Sequence, residues 1–327
     1  MNRINKERHK TSNKLEIDFN TKREGKIQIK CPVCGGESVH FRNIKNWGEQ
    51  RSCLKCGLIF ANPIKISEEP KKFFDKAYRG QLTKGRMQEF HKRVIKREQE
   101  ERLNLPVILR CDKMEAIEWI KKNIPQGSYV LDIGCALGEV LDSLRDAGFN
   151  PIGIEPSITM VKRLRQRGHT VWHGTIDDIP QGSLPKISVC TAFIMLHHVP
   201  DPLGFFRAVK KLCPSSWFLI SEGIYDWKCS PYPGPPRHYS VWNANSLSVV
   251  LNSGGYVVEK INTLDPVYKQ PNIPFSERLL PIASSQRVVF FYRRVKFILF
   301  WPLFLWSTLR KKNKTRPFIL AYAKTKK

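Results

Sequence analysis

Short, almost wholly apolar runs alternate with amphipathic stretches through the middle of the chain. Tyr129 to Ile133, Pro151 to Ile154, Ile187 to Ile194 and Trp217 to Ser221 are the runs. Continuous apolar character of this kind predicts strands buried on both faces of a parallel sheet. Between the first two, Glu139 to Ala147 sets Val140, Leu141 and Leu144 on one helical face, and Gly148 ends the helix. Cys111 to Asn123 and Phe205 to Leu212 predict further helices, Arg86 to Arg102 a charged helix with its few apolar residues on one side, and Tyr256 to Ile261 and Pro317 to Tyr322 two last strands. Strands alternating with helices in this order predict an α/β fold, a doubly wound Rossmann-like sheet.

The first strand runs into Gly134-Cys-Ala-Leu-Gly138, a turn in which the backbone can approach a ligand where a Cβ would collide. The second strand ends on Glu155, about twenty residues beyond the first glycine, where an acid can accept both hydroxyls of a ribose. The G-x-G-x-x-G spacing of a dinucleotide loop is missing, which argues against NAD chemistry.

The loop resembles the acid-x-Gly-x-Gly-x-Gly turn of class I S-adenosylmethionine-dependent methyltransferases, with Asp132, Gly134 and Gly138 in place and Ala136 at the middle glycine. Met195-Leu-His-His-Val-Pro-Asp-Pro202 is similar to the Leu-Glu-His-Ile/Val-x-Asp-Pro stretch of the branch that includes ubiquinone-biosynthesis and sugar methyltransferases. Pro235-Pro-Arg-His-Tyr-Ser-Val-Trp242 resembles a Pro-Pro-x-His stretch of the same branch. The resemblance implies that Asp132, Gly134, Cys135, Gly138, Glu155, Pro156 and Phe193 surround the cofactor, with Ile176 and Asp177, on the loop after the third strand, at the adenine. It also implies an antiparallel last strand, and an aromatic lead-in, Glu68 to Tyr78, that closes over the cofactor.

Methyl transfer needs alignment and, for a hydroxyl acceptor, removal of one proton. His198 matches the family histidine and is the expected base. His197 stands where the family usually has glutamate, which leaves a second imidazole contact or a metal ligand open; His238 is a further candidate, its alternative role being to cap the helix that follows.

Ahead of this core, Cys31-x2-Cys34 and Cys53-x2-Cys56, each followed by glycine, have the spacing of a zinc ribbon. Four thiolates close the shell of a structural zinc. Val39 to Trp47 predicts a hairpin arm and Leu58 to Pro63 a departing strand. Nine cysteines in 327 residues, four of them in this pattern, suit a reducing compartment, and no leading apolar segment predicts a secretory signal. A cytoplasmic protein is expected, peripheral on the inner face of a membrane if the C-terminal segment binds lipid.

Charge changes the picture mainly at the C-terminus. The net charge is +26, and from Arg278 to Lys327 there are thirteen Lys or Arg and no Asp or Glu. Phe297 to Trp306 is apolar but too short for the roughly 20 residues that span a bilayer. Flanked by Arg293, Arg294 and Arg310, it predicts an interfacial helix on an anionic membrane surface within 288–312, or else a lid packed on the core.

These readings divide the chain into a basic extension (1–28), zinc ribbon (29–63), helical connector and cofactor lid (64–126), methyltransferase core (127–265), basic aromatic insertion (266–314), and last strand with basic tail (315–327). The expected activity is methylation of a small-molecule or lipid-linked sugar, from a cell-surface glycan or secondary-metabolite precursor. A lipid or quinone O-methyltransferase is the second reading. A nucleic-acid-binding protein with an inactive methyltransferase fold is the third, and the intact Asp132 and Glu155 argue against it; no motif for methylating exocyclic amines or pyrimidine C5 marks nucleic acid as a substrate.

Overall fold

The computed structural model describes residues 29–44, 48–62, 70–81, 87–102, 109–224, 238–264 and 317–326. The basic extension, the aromatic segment 288–312 and Pro235 to Arg237 lie outside the described residues.

The first described unit is antiparallel: β1 (Ser38–Ile44), β2 (Gly48–Cys53) and β3 (Ile59–Asn62). Helices α1 (Pro70–Tyr78), α2 (Met87–Arg102) and α3 (Cys111–Asn123) lead to the large sheet. That sheet is built from β4 (Tyr129–Ile133), α4 (Glu139–Asp146), β5 (Asn150–Glu155), α5 (Ile158–Gln166), β6 (Thr170–His173), β7 (Ile187–Phe193), α6 (Pro202–Leu212) and β8 (Trp217–Gly223). A two-residue strand, β9 (Ser240–Val241), precedes α7 (Ala244–Ser253), β10 (Tyr256–Leu264) and β11 (Phe318–Thr325).

The large sheet has the order β10-β11-β8-β7-β4-β5-β6. Neighbours from β8 to β6 run parallel, and β11 is antiparallel to both β8 and β10. The doubly wound fold with an antiparallel last strand is therefore the one observed. Its two faces follow from the period of two along each strand. Leu131, Ile133, Ile152, Ile154 and Ile220 face one core with Phe206, Val209 and Leu247. Val130, Val189, Leu219 and Leu320 face the other with Ile117, Ile120, Val140 and Leu144.

Three contacts outside the large sheet bear on function. Strand β9 adds to the edge of β3, so the small sheet reads β1-β2-β3-β9. The first unit is thus stitched to a segment about 180 positions away. Helix α1 is pinned to the start of α5 by Asp75, which accepts hydrogen bonds from the Ser157 hydroxyl and the Thr159 amide, both at 2.9 Å. Buried Asp142 on α4 takes Arg97 of α2 at 3.1 Å and His169 at 2.9 Å, and also pairs with Arg167. Burial of one carboxylate is tolerable because several donors share it. None of the described helices is long and apolar enough to cross a membrane.

Candidate active site

A cavity of about 860 Å³ opens at the carboxyl ends of β4, β5 and β7. That is the ligand edge of a doubly wound sheet, and the volume lies in the range of roughly 300 to 1,000 Å³ for small-molecule sites. Of the residues expected at a cofactor, Asp132, Gly134, Glu155, Pro156, Ile176, Asp177 and Phe193 line it, and so do His197, His198 and His238.

Cys135 and Gly138 do not line it. The Cys135 side chain turns into the core with Leu141, Val161, Leu164 and Val171, where its sulfur lies over Gly153. Gly138 has φ +76, and a Cβ there would meet Leu164 Cδ2 at 2.4 Å. Its glycine serves helix entry and packing. His238 does not cap α7 either. Asn243 does so, its side chain accepting from the Ser246 amide at 2.8 Å while the Ser246 hydroxyl accepts from the Asn243 amide at 2.9 Å.

Glu155 is buried, and burial pushes its carboxyl up to about 7, against the Ser157 and Ala136 amides that pull it down. Each of those amides donates at 2.9 Å, to Oε1 and Oε2 respectively. Carboxylate oxygens accept more than one hydrogen bond, so both retain capacity toward the cavity. Burial likewise pushes Asp132 up to about 6, although the Thr191 hydroxyl donates to it at 2.7 Å. Ala136 (φ 49) and Ile194 (φ 56) are the non-glycine residues with left-handed backbone among those described. Both line the cavity, the kind of location where backbone strain is retained for function.

Sequence reasoning missed the cationic rim. Arg110 and Lys113, from the start of α3, also line the cavity. Arg110 makes a two-pronged contact with buried Asp112 at 2.6 and 2.8 Å, and Lys113 reaches Glu139 at 2.6 Å. Nothing in a charged helix start marks these two among many other cations. From α1, Phe74 and Tyr78 close the cavity's side, Phe74 meeting the His198 ring edge-on at 5.2 Å.

The three histidines form one cluster, with ring centroids 4.1 Å (His197 to His198), 4.3 Å (His197 to His238) and 4.8 Å (His198 to His238) apart. His197 Nδ1 lies 2.8 Å from Glu222 Oε2, at the end of β8, another residue the sequence did not single out.

At the first unit, Cys31 and Cys56 sulfurs are 3.7 Å apart and Cys34 and Cys53 sulfurs 3.4 Å. Four thiolates about 2.3 Å from a tetrahedral zinc would be about 3.8 Å apart, so the donor set fits that ion. The Gly35 and Gly57 amides close each knuckle on the carbonyls of Cys31 and Cys53, at 2.9 and 3.0 Å. From α7, Asn243 donates to the Gly57 carbonyl at 2.9 Å and Asn245 to the Cys56 carbonyl at 3.1 Å.

Residues 104–261 match the family model described as a methyltransferase domain. The ubiquinone biosynthesis O-methyltransferase of Actinobacillus pleuropneumoniae is 35% identical over 108 residues, 30% of this chain and 46% of that protein. That of Bordetella avium is 29% identical over 114 residues, 32% of this chain and 47% of that protein. The chain thus spans about half the length of the curated relatives it matches. The 1,6-didemethyltoxoflavin-N1-methyltransferase of Burkholderia thailandensis, solved with S-adenosylhomocysteine, superposes with a TM-score of 0.46 at 12% identity, over 83% of this chain and 97% of that one. The chain carries a methyltransferase domain, and at that level the expectation from the motifs is borne out.

Proposed function

We propose that this methyltransferase domain works as an S-adenosylmethionine-dependent enzyme that methylates a hydroxyl, most simply of a sugar in a glycan or secondary-metabolite precursor. The single observation that carries the reading is one cavity uniting the Glu155 and Asp132 carboxylates with three imidazoles.

S-adenosylmethionine supplies an electrophilic methyl on its sulfonium. In this reading Glu155 accepts the two ribose hydroxyls, Ile176 and Asp177 hold the adenine, and the Gly134 backbone with Arg110 and Lys113 takes the amino-acid end. Phe74 and Tyr78 exclude water. His198 orients the acceptor hydroxyl and accepts its proton at a ring nitrogen, which is the contribution a positioned imidazole makes near neutral pH. The thiolates of Cys31, Cys34, Cys53 and Cys56 hold a structural zinc, and that zinc ribbon steadies the wall that carries His238, because the Ala61 amide donates to the Tyr239 carbonyl at 2.8 Å.

A quinone or lipid phenol is the second acceptor reading, supported by the ubiquinone biosynthesis for which the relatives are named and by the apolar wall of Phe73, Phe74, Val199 and Phe205. The basic aromatic segment 288–312 would hold such an enzyme on an anionic membrane surface. Glycans and lipids extracted from cells with and without the protein test both. A one-methyl mass difference in a sugar-containing fraction supports the first, and the same difference in the quinone or lipid fraction supports the second. No protein-dependent methyl in any fraction counts against both.

A further inference from the structure

We propose that His197, His198 and His238 form a second metal site, distinct from the four cysteines, that binds a divalent transition metal such as Zn²⁺ in the acceptor half of the cavity. One candidate ligand atom from each ring lies within 4.8 Å of the other two. Nitrogens about 2.1 Å from a tetrahedral ion are about 3.4 Å apart, so small ring rotations close the set.

Two features beyond proximity point to a ligand rather than to packing. The first is Glu222. Its Oε1 accepts from the Leu196 amide at 2.7 Å, which fixes the carboxylate, and its Oε2 meets His197 Nδ1 at 2.8 Å. Both side chains are buried. A proton on Nδ1 leaves the Nε2 lone pair free to face the cluster, the carboxylate-histidine-metal arrangement that orients imidazole ligands. The second is how the third ring is held. The Tyr239 amide donates to the His197 carbonyl at 2.8 Å, fixing His238 beside the pair by backbone bonds.

Three neutral imidazoles with one open position make a catalytic type of site, in contrast to the closed thiolate set. This consequence rests on the methyltransferase reading. An acceptor hydroxyl at the open position ionises near neutral pH, since such an ion lowers the pKa of bound water to about 7. The hydroxyl's proton leaves to solvent, the oxygen forms a bond to the methyl carbon, and the carbon–sulfur bond breaks with its electron pair staying on sulfur. The products are the methyl ether, S-adenosylhomocysteine and one proton. His198 then acts as a ligand and the ion takes over the acidifying role.

Metal content and Co²⁺ spectra of the full-length protein test the site. Wild type dialysed against zinc should retain one equivalent beyond that of the cysteines, and His238→Ala and His198→Ala should each lose that equivalent only. With Co²⁺, wild type should show thiolate charge-transfer bands in the near ultraviolet together with weaker visible bands of a nitrogen site. His238→Ala should keep the former together with the visible bands of the tetrahedral thiolate site, and lose only the visible absorption that the nitrogen site adds. Wild type that holds only the cysteine-bound metal, with Co²⁺ spectra unchanged by His238→Ala, would overturn the proposal. S-adenosylmethionine binding measured in parallel separates the two claims. A wild type with the second metal and no cofactor binding keeps the site and removes the methyltransferase reading. Cofactor binding with cysteine metal alone does the reverse.

Discussion

Replacing Glu155 with alanine should weaken S-adenosylmethionine by about 2 to 3 kcal/mol, or roughly 30- to 150-fold in Kd. Two hydrogen bonds to a charged acceptor are worth about 1.5 to 3 kcal/mol each, and part of that is recovered when water fills the space. The group is also partly protonated near neutrality, because burial pushes its carboxyl up to about 7. This sets the pH dependence. The ionised form binds both hydroxyls, so wild-type affinity should rise with pH and level off above 7. Its ionised fraction changes about tenfold between pH 6 and 8, and Kd should follow. The apo protein should behave oppositely. A carboxyl whose folded pKa is raised contributes stability that is full below its unfolded value near 4.5 and is lost as pH rises through about 7. Glu155→Gln should remove the affinity trend and reduce the stability trend to the part that Asp132, pushed up to about 6, contributes at lower pH. Calorimetry across this range, with thermal unfolding to confirm the fold, decides the matter. A folded Glu155→Ala variant within threefold of wild type at pH 8, or a wild-type affinity that falls with rising pH, would refute the role of Glu155.

Cys53→Ser should lose the cysteine-bound zinc and expose residues 29–62 to protease while the large sheet stays folded, as metal analysis and limited proteolysis would report. Asn243→Ala removes both the α7 cap and the bond to the Gly57 carbonyl. It should cost about 1 to 2 kcal/mol, read as a Tm lower by several degrees. Phe300→Ser with Phe304→Ser should release the protein from anionic liposomes without changing any salt-sensitive binding to nucleic acid; equal liposome binding by both proteins would count against an interfacial anchor.

The buried strands were legible because a strand covered on both faces must be apolar throughout, as Val130 to Ile133 and Ile187 to Phe193 are, apart from the cavity-lining Asp132 and a few small polar residues. The glycine turn was legible because Gly134 and Gly138 both take left-handed backbone that favours glycine, and Glu155 because an acid ending an apolar strand is conspicuous. Helix α5 escaped notice although Ser157 caps it by accepting from the Met160 amide. Its apolar residues are few, and Lys162, Arg163 and Arg165 dilute the pattern. Strand β9 is two residues long and exists only because β3 offers an edge, which no local pattern reveals. Glu222 looks like an ordinary polar strand end until the fold brings it to His197. The cluster of His197 and His198 with His238 is likewise tertiary, since 40 positions separate its parts.

The central claim is methyl transfer in this cavity. Purified protein incubated with methyl-labelled S-adenosylmethionine and the glycan-precursor and quinone-lipid fractions of cells lacking it tests that claim most directly. The account predicts label in one of those fractions with wild type and at least tenfold less with Glu155→Ala at limiting cofactor. Wild type that binds the cofactor yet labels neither fraction above the Glu155→Ala background would contradict it.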